Sequence, residues 1–105
     1  MRTKLLIILM SMLLSGVAIS DDNFTFPMNE FSFVETFSGK NKKYIYDAIG
    51  KPFSQDSREN SGGKVEFLVY ENIVNIGKTD KVYKYTQIGI INDVVETIGN
   101  TNLDP

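Results

Sequence analysis

The sequence predicts an α+β domain in which a short amphipathic helix lies across a three-stranded antiparallel sheet. Three stretches carry that expectation: a helix marked at both ends between Gly39 and Pro52, an alternating run from Lys64 to Glu71, and a hairpin pattern from Lys81 to Ile98.

The chain opens with Met1-Arg2-Thr3-Lys4, an apolar run from Leu5 to Leu14 and small residues ending in Ala18-Ile19-Ser20, the three-part layout of a secretory signal. The apolar run is about half the ~20 residues that a membrane span needs, so residues 1–20 are expected to be a cleaved signal peptide. Arg2 and Lys4 lie inside it and no acidic residue does, which leaves the remainder more acidic than the whole chain's net charge of −2. That balance argues against nucleic acid and against an anionic bilayer as partners. Cysteine is absent, so an exported domain of this size must stand on its core without a disulfide. The seven phenylalanines and five tyrosines all follow residue 20, and burying one contributes on the order of 1.5–3 kcal/mol. A single thin-cored domain is affordable on that basis.

Residues 21–29 are polar around Phe24, Phe26 and Pro27 and are expected to form a flexible arm. Glu30 to Phe37 reads two ways. Phe31, Phe33 and Phe37 alternate as in a strand, whereas Phe33, Val34 and Phe37 suit a helix capped by Asn29. In the stretch from Gly39 to Pro52, Asn41 is the N-cap, Gly50 the left-handed terminator and Pro52 the stop. Tyr44, Ile45, Ala48 and Ile49 then share one face, leaving Lys42, Lys43, Tyr46 and Asp47 for water. Ser54 to Gly63 is polar with a Gly-Gly end and reads as a loop, as does Asn72 to Asp80. Lys64 to Glu71 is a strand with Val65, Phe67 and Val69 on one side. Lys81 to Ile91 and Val94 to Ile98 are expected to pair as a hairpin about Asn92-Asp93. Residues 30–100 thus form one domain, with a frayed tail that starts near Gly99 and covers 101–105.

Histidine, cysteine and tryptophan are missing, which removes the usual general base at neutral pH, thiol nucleophiles and most zinc or copper sites. Asp56 and Glu59 fall short of the six to eight oxygens that calcium takes. Gly77-Lys78-Thr79 mimics the end of a phosphate loop, but Asn72 stands where its first glycine belongs. No catalytic residue, metal or cofactor is therefore expected.

The spacing of Gly39, Asn41, Ile45, Ile49, Gly50 and Pro52, followed by a polar loop and strands ending in Val94 and Ile98, resembles the SmpA/OmlA (BamE-like) family of small outer-membrane assembly lipoproteins. The resemblance covers roughly residues 33–100. It implies two N-terminal helices, the first over Glu30 to Phe37, packed on one face of a three-stranded antiparallel sheet, the architecture of the β-lactamase-inhibitor-protein repeat. It also implies a bacterial envelope setting, in the periplasm with or without association to the outer membrane, or secretion. Leu14-Ser15-Gly16 leads into a lipoprotein box, but the next residue is Val17. Membrane association is then expected only indirectly, a direct anchor requiring a cysteine at position 17.

The functional expectation is an exported, non-enzymatic module that binds another envelope or secreted protein. Two surfaces are candidates. Apolar residues occupy both faces of the 81–98 hairpin, so one face, with Tyr83, Tyr85 and Ile91 beside Val94 and Ile98, is left for a partner or for a second copy in a homodimer. Lys42 and Lys43 at the helix N-terminus, beside Tyr46, offer a spot for an acidic surface. The rival expectation is an enzyme inhibitor that inserts the loops Phe53 to Gly63 and Asn72 to Asp80 into a cleft.

Overall fold

The structure, a computed structural model, describes residues 24–103. Residues 1–20, expected as a signal peptide, the first residues of the expected arm and the last two of the tail lie outside the described residues. The elements run α1 (Glu30–Phe37), α2 (Lys42–Ile49), β1 (Ser54–Asn60), β2 (Gly63–Glu71), β3 (Tyr85–Ile91) and β4 (Val94–Thr101). All four strands pair antiparallel in the order β1-β2-β3-β4.

Asn29 resolves the ambiguity over residues 30–37 in favour of a helix. Its side chain accepts from the Ser32 N–H at 3.1 Å, and Phe33 and Phe37, one helical turn apart, bury completely with ring centroids 4.7 Å apart. Phe31, the residue that made the stretch look like an alternating strand, stays 72% exposed. In α2 the Asn41 side chain accepts from Tyr44 N–H at 2.8 Å. The helix stops at Gly50, where φ is 102° and the N–H donates to Tyr46 O. Ile45 is its fully buried residue.

The three-stranded expectation is overturned by β1. Ser54 to Asn60, read as a loop, is a fourth strand paired along its whole length with β2, from Ser54 opposite Val69 to Asn60 opposite Gly63. Every β1 residue is exposed. A strand that buries no side chain has no apolar alternation to announce it, and its position is set chiefly by main-chain pairing with β2.

The hairpin also differs from its expected bounds. β3 begins at Tyr85, because Val82 instead bridges back to Asn75 within the 72–84 excursion. β4 runs on to Thr101, through residues expected to fray. Between Gly89 and Ile90 the β3–β4 register slips by one residue, so that Val95 faces Ile90 and Ile98 faces Ile88. The bulge reverses the parity of β4. Ile98, expected on the outer face, therefore joins Val95 on the helix side, half-buried against the core.

Phe33, Phe37 and Ile45 from the helices meet Leu68, Tyr70, Ile88, Ile90 and Val95 from the sheet in one cluster. The segment before α1, expected as a flexible arm, is docked from Phe24 onward. The Phe24 ring meets Phe37 edge-on at 5.4 Å, and Met28 exchanges main-chain bonds with Ile73 and Asn75. Gly39, at φ 80°, turns the chain from α1 to α2 and lets the linker lie along β4. There Gly39 N–H donates to Val95 O and Val95 N–H to Lys40 O.

Candidate functional site: the open face of the sheet

The register places the side of the sheet away from the helices in cross-strand rows. One row holds Arg58, Val65, Ile91 and Val94, and the next Asp56, Phe67, Gly89 and Thr97. Ile91 is 42% and Val94 39% exposed, with Val65 and Phe67 half-buried between them. Gly89 is what lets this surface close up. A Cβ there would run into the Thr97 hydroxyl and lie 3.5 Å from the Phe67 ring, which covers the space instead. Phe53, 56% exposed, extends the apolar surface over Tyr85 at a centroid distance of 5.8 Å. Among the described residues no helix covers this row, which makes it the candidate contact surface of the domain.

The residues expected to form the partner site fall into separate groups. Tyr85 and Ile91 share the open face, although Tyr85 is only 9% exposed beneath Phe53 and has Lys84 Nζ 5.5 Å from its ring centroid. Tyr83 does not join them. It lies before β3, and its hydroxyl donates to the Glu30 carboxylate at 3.3 and 3.4 Å, tying the 72–84 excursion to α1. Burial, with the Glu30 charge second, holds its phenol above the usual range. Phe53, Val65 and Phe67 are the members missing from the expected site. Val65 and Phe67 had a legible signal, the β2 alternation, whereas Phe53 sits in the turn before a strand that composition hides.

Lys42 and Tyr46 share a polar cluster on the helix side. Lys42 Nζ donates to Glu66 Oε2 at 2.7 Å, Gln55 reaches the same oxygen at 3.5 Å, and Tyr46 Oη donates to Gln55 Oε1 at 2.9 Å. Glu66 is buried on β2, and Lys64 Nζ stands 3.9 Å from it. The hydrogen bond to Glu66 raises the Lys42 ammonium above its ordinary 10.5, partly offset by burial. Nearby, Tyr70 Oη donates to Gly50 O at 2.7 Å and is pushed well above its ordinary value, first by burial and then by the Tyr46 phenol. This cluster fixes α2 to the sheet. Lys43 stands apart on the solvent side, in an i,i+4 pair with Asp47 at 2.6 Å. The α2 N-terminus is also occupied from within, because Lys42 N–H donates to the Asp93 carboxylate at 3.1 Å.

A third feature is a shallow groove of about 430 Å³ between α1 and the 72–84 excursion, walled by Phe31, Val34, Gly77 and Lys78. Among the described residues no three acidic side chains gather to hold a metal ion, and no helix is long and apolar enough to cross a membrane.

No family model, curated protein or solved structure matches this chain. The SmpA/OmlA resemblance therefore rests on the residue spacing alone, and the polar loop in that pattern is the strand β1.

Proposed function

We propose that this chain is an exported, non-enzymatic protein-interaction module of the bacterial cell envelope, akin to an outer-membrane assembly accessory protein, and that it docks another envelope protein on the open face of its sheet. The observation that carries the docking surface is the row Val65, Ile91 and Val94 with Phe67 beside it, apolar and uncovered while the helices occupy the other face. The layout of residues 1–20 supports export. The rival reading, an inhibitor that inserts two loops, is weakened because one of those loops, Phe53 to Gly63, is mostly β1.

The test compares partner capture from envelope extract by the wild-type chain, by Ile91→Asp and by Lys43→Ala. The reading expects Ile91→Asp to lose a partner that Lys43→Ala retains, with both variants equally folded by circular dichroism. Retention by Ile91→Asp and by Phe67→Ser alike removes the open face from the account. Intact-mass analysis of the exported protein checks the other half, with loss of residues 1–20 expected and an uncleaved chain contradicting it.

A further inference from the structure

The free edge of the sheet is self-complementary. We propose that β1 pairs antiparallel with β1 of a second copy, centred on Ser57, so that two four-stranded sheets join into one of eight strands. This edge adjoins the open face, whose rows end in Asp56 and Arg58, but the pairing does not require that face to be a docking surface.

The direction of the main-chain groups comes first. Asn92 N–H donates to Lys64 O across the β2–β3 boundary at 2.8 Å, next to the pair Val65–Ile91. Alternation in an antiparallel ladder then turns Lys64 and Glu66 toward β3, and Val65 and Phe67 toward β1. Their β1 partners, Arg58 and Asp56, bond inward, which leaves the main-chain groups of Gln55, Ser57 and Glu59 directed away from the sheet. Ser57 fits this: its N–H donates to the neighbouring Asp56 carboxylate at 3.0 Å.

Side-chain order then selects the occupant and the register. In Ser-Gln-Asp-Ser-Arg-Glu-Asn, a two-fold axis through Ser57 sets Asp56 opposite Arg58 of the second copy, and Arg58 opposite its Asp56. On the other face Gln55 meets Glu59, and at the ends Ser54 meets Asn60. The outward groups of Gln55, Ser57 and Glu59 face one another in hydrogen-bonded pairs. Asp56 and Arg58 fall in the intervening pairs, where side chains of the two strands stand closest. Within one copy these two already form an ion pair at 3.2 Å, so the dimer encloses four alternating charges. The other registers that match the outward groups lose this. Centring on Asp56, Arg58 or Glu59 sets that charge against itself, and centring on Gln55 gives neither Asp56 nor Arg58 a charged partner. Charged residues on an edge strand commonly repel foreign strands. Here they favour a strand that sets a base opposite Asp56 and an acid opposite Arg58, as a second copy does in this register.

The test is sedimentation velocity on the purified chain over a concentration series. A monomer–dimer equilibrium is expected for the wild type. Either Asp56→Arg or Arg58→Asp, by setting like charges together twice, weakens it about tenfold or more, and the two changes combined restore it. Because the chain has no cysteine, register is read by oxidation. Ser57→Cys meets its own copy at about 5.5 Å between Cα atoms, within disulfide reach, and cross-links. Ser54→Cys, about 20 Å from its counterpart in this register, does not. A wild type that stays monomeric throughout, single exchanges that dimerise as well as the wild type, or equal cross-linking at both positions overturns the proposal. A dimer lost only in Ile91→Asp also overturns it and moves the second copy to the open face.

Discussion

β4 closes the sheet on one side with the main chain of Val95 bonded to Gly39 and Lys40, its side chain in the core, and Asn100 accepting from the buried Thr86 hydroxyl at 2.6 Å. β1 closes it on the other with seven exposed residues and, among the described residues, no strand on its far side. The difference follows from what each strand can bury. Val95 and Ile98 carry apolar side chains to the helix side, so the chain passes its α1–α2 linker over that edge and stabilises it by contact. The β1 sequence has no apolar side chain to place under a helix, and its contact with α2 is the hydrogen bond from Tyr46 to Gln55. One edge is thus part of the core, while the other is free to make contacts outside the molecule.

The largest expected effect is on the anchored side. Phe37→Ala removes a fully buried ring that touches Phe24, Phe33 and Tyr44, and a loss of about 3–5 kcal/mol in denaturant unfolding is expected. A loss below about 1 kcal/mol would show that this side is not the anchored one. Lys42→Met leaves the buried Glu66 carboxylate with only Gln55 and the more distant Lys64, at an expected cost of roughly 1–3 kcal/mol, kept toward the low end because Lys42 is partly exposed. Adding Glu66→Gln should return much of that loss, and a double variant no better than the single would dissolve the claim that this pair seats α2.

The same region sets the alkaline limit. Lys42 and Tyr70 both have folded-state values raised above their ordinary 10.5 and 10.0. Each binds its proton more tightly when folded, so their contributions are complete below about pH 10 and are lost as pH rises beyond it. Thermal melts should therefore be level from neutral pH to about pH 9 and fall above it. A melt that already falls between pH 7 and 9 contradicts the assignment. Asn41→Ala, which removes the α2 cap, is expected to cost about 1 kcal/mol. At the bare edge, Arg58→Ala should change monomer stability by no more than about 0.5 kcal/mol, and a larger loss would mean that the Arg58 side chain itself holds β1 in place.

The contrast between the edges also marks what could be read in advance. α2 was legible because Asn41, Ile45 and Gly50 each state a local requirement, a cap, a buried position and a positive φ, and the structure places all three as such. β2 was legible from its alternation. β1 was not, since hydrophobic periodicity reports burial and this strand buries no side chain. The bulge after Gly89 escaped for another reason. Val94 to Ile98 was read with a constant period of two, and one extra residue moved Ile98 to the opposite face. Of the expected partner residues, Ile91 and Tyr85 share the open face because strand parity placed them there. Tyr83 was assigned by the same parity in a stretch where the strand has not yet begun.

Amide hydrogen exchange along β1, followed at low protein concentration and again at high, tests the account most directly. Asp56 and Arg58 should be protected at both concentrations through β2, while Gln55, Ser57 and Glu59 should exchange freely when dilute and slow as copies pair. Uniformly fast exchange from Ser54 to Asn60 at both concentrations would return this segment to a loop, the sheet to three strands, and the edge to no role at all.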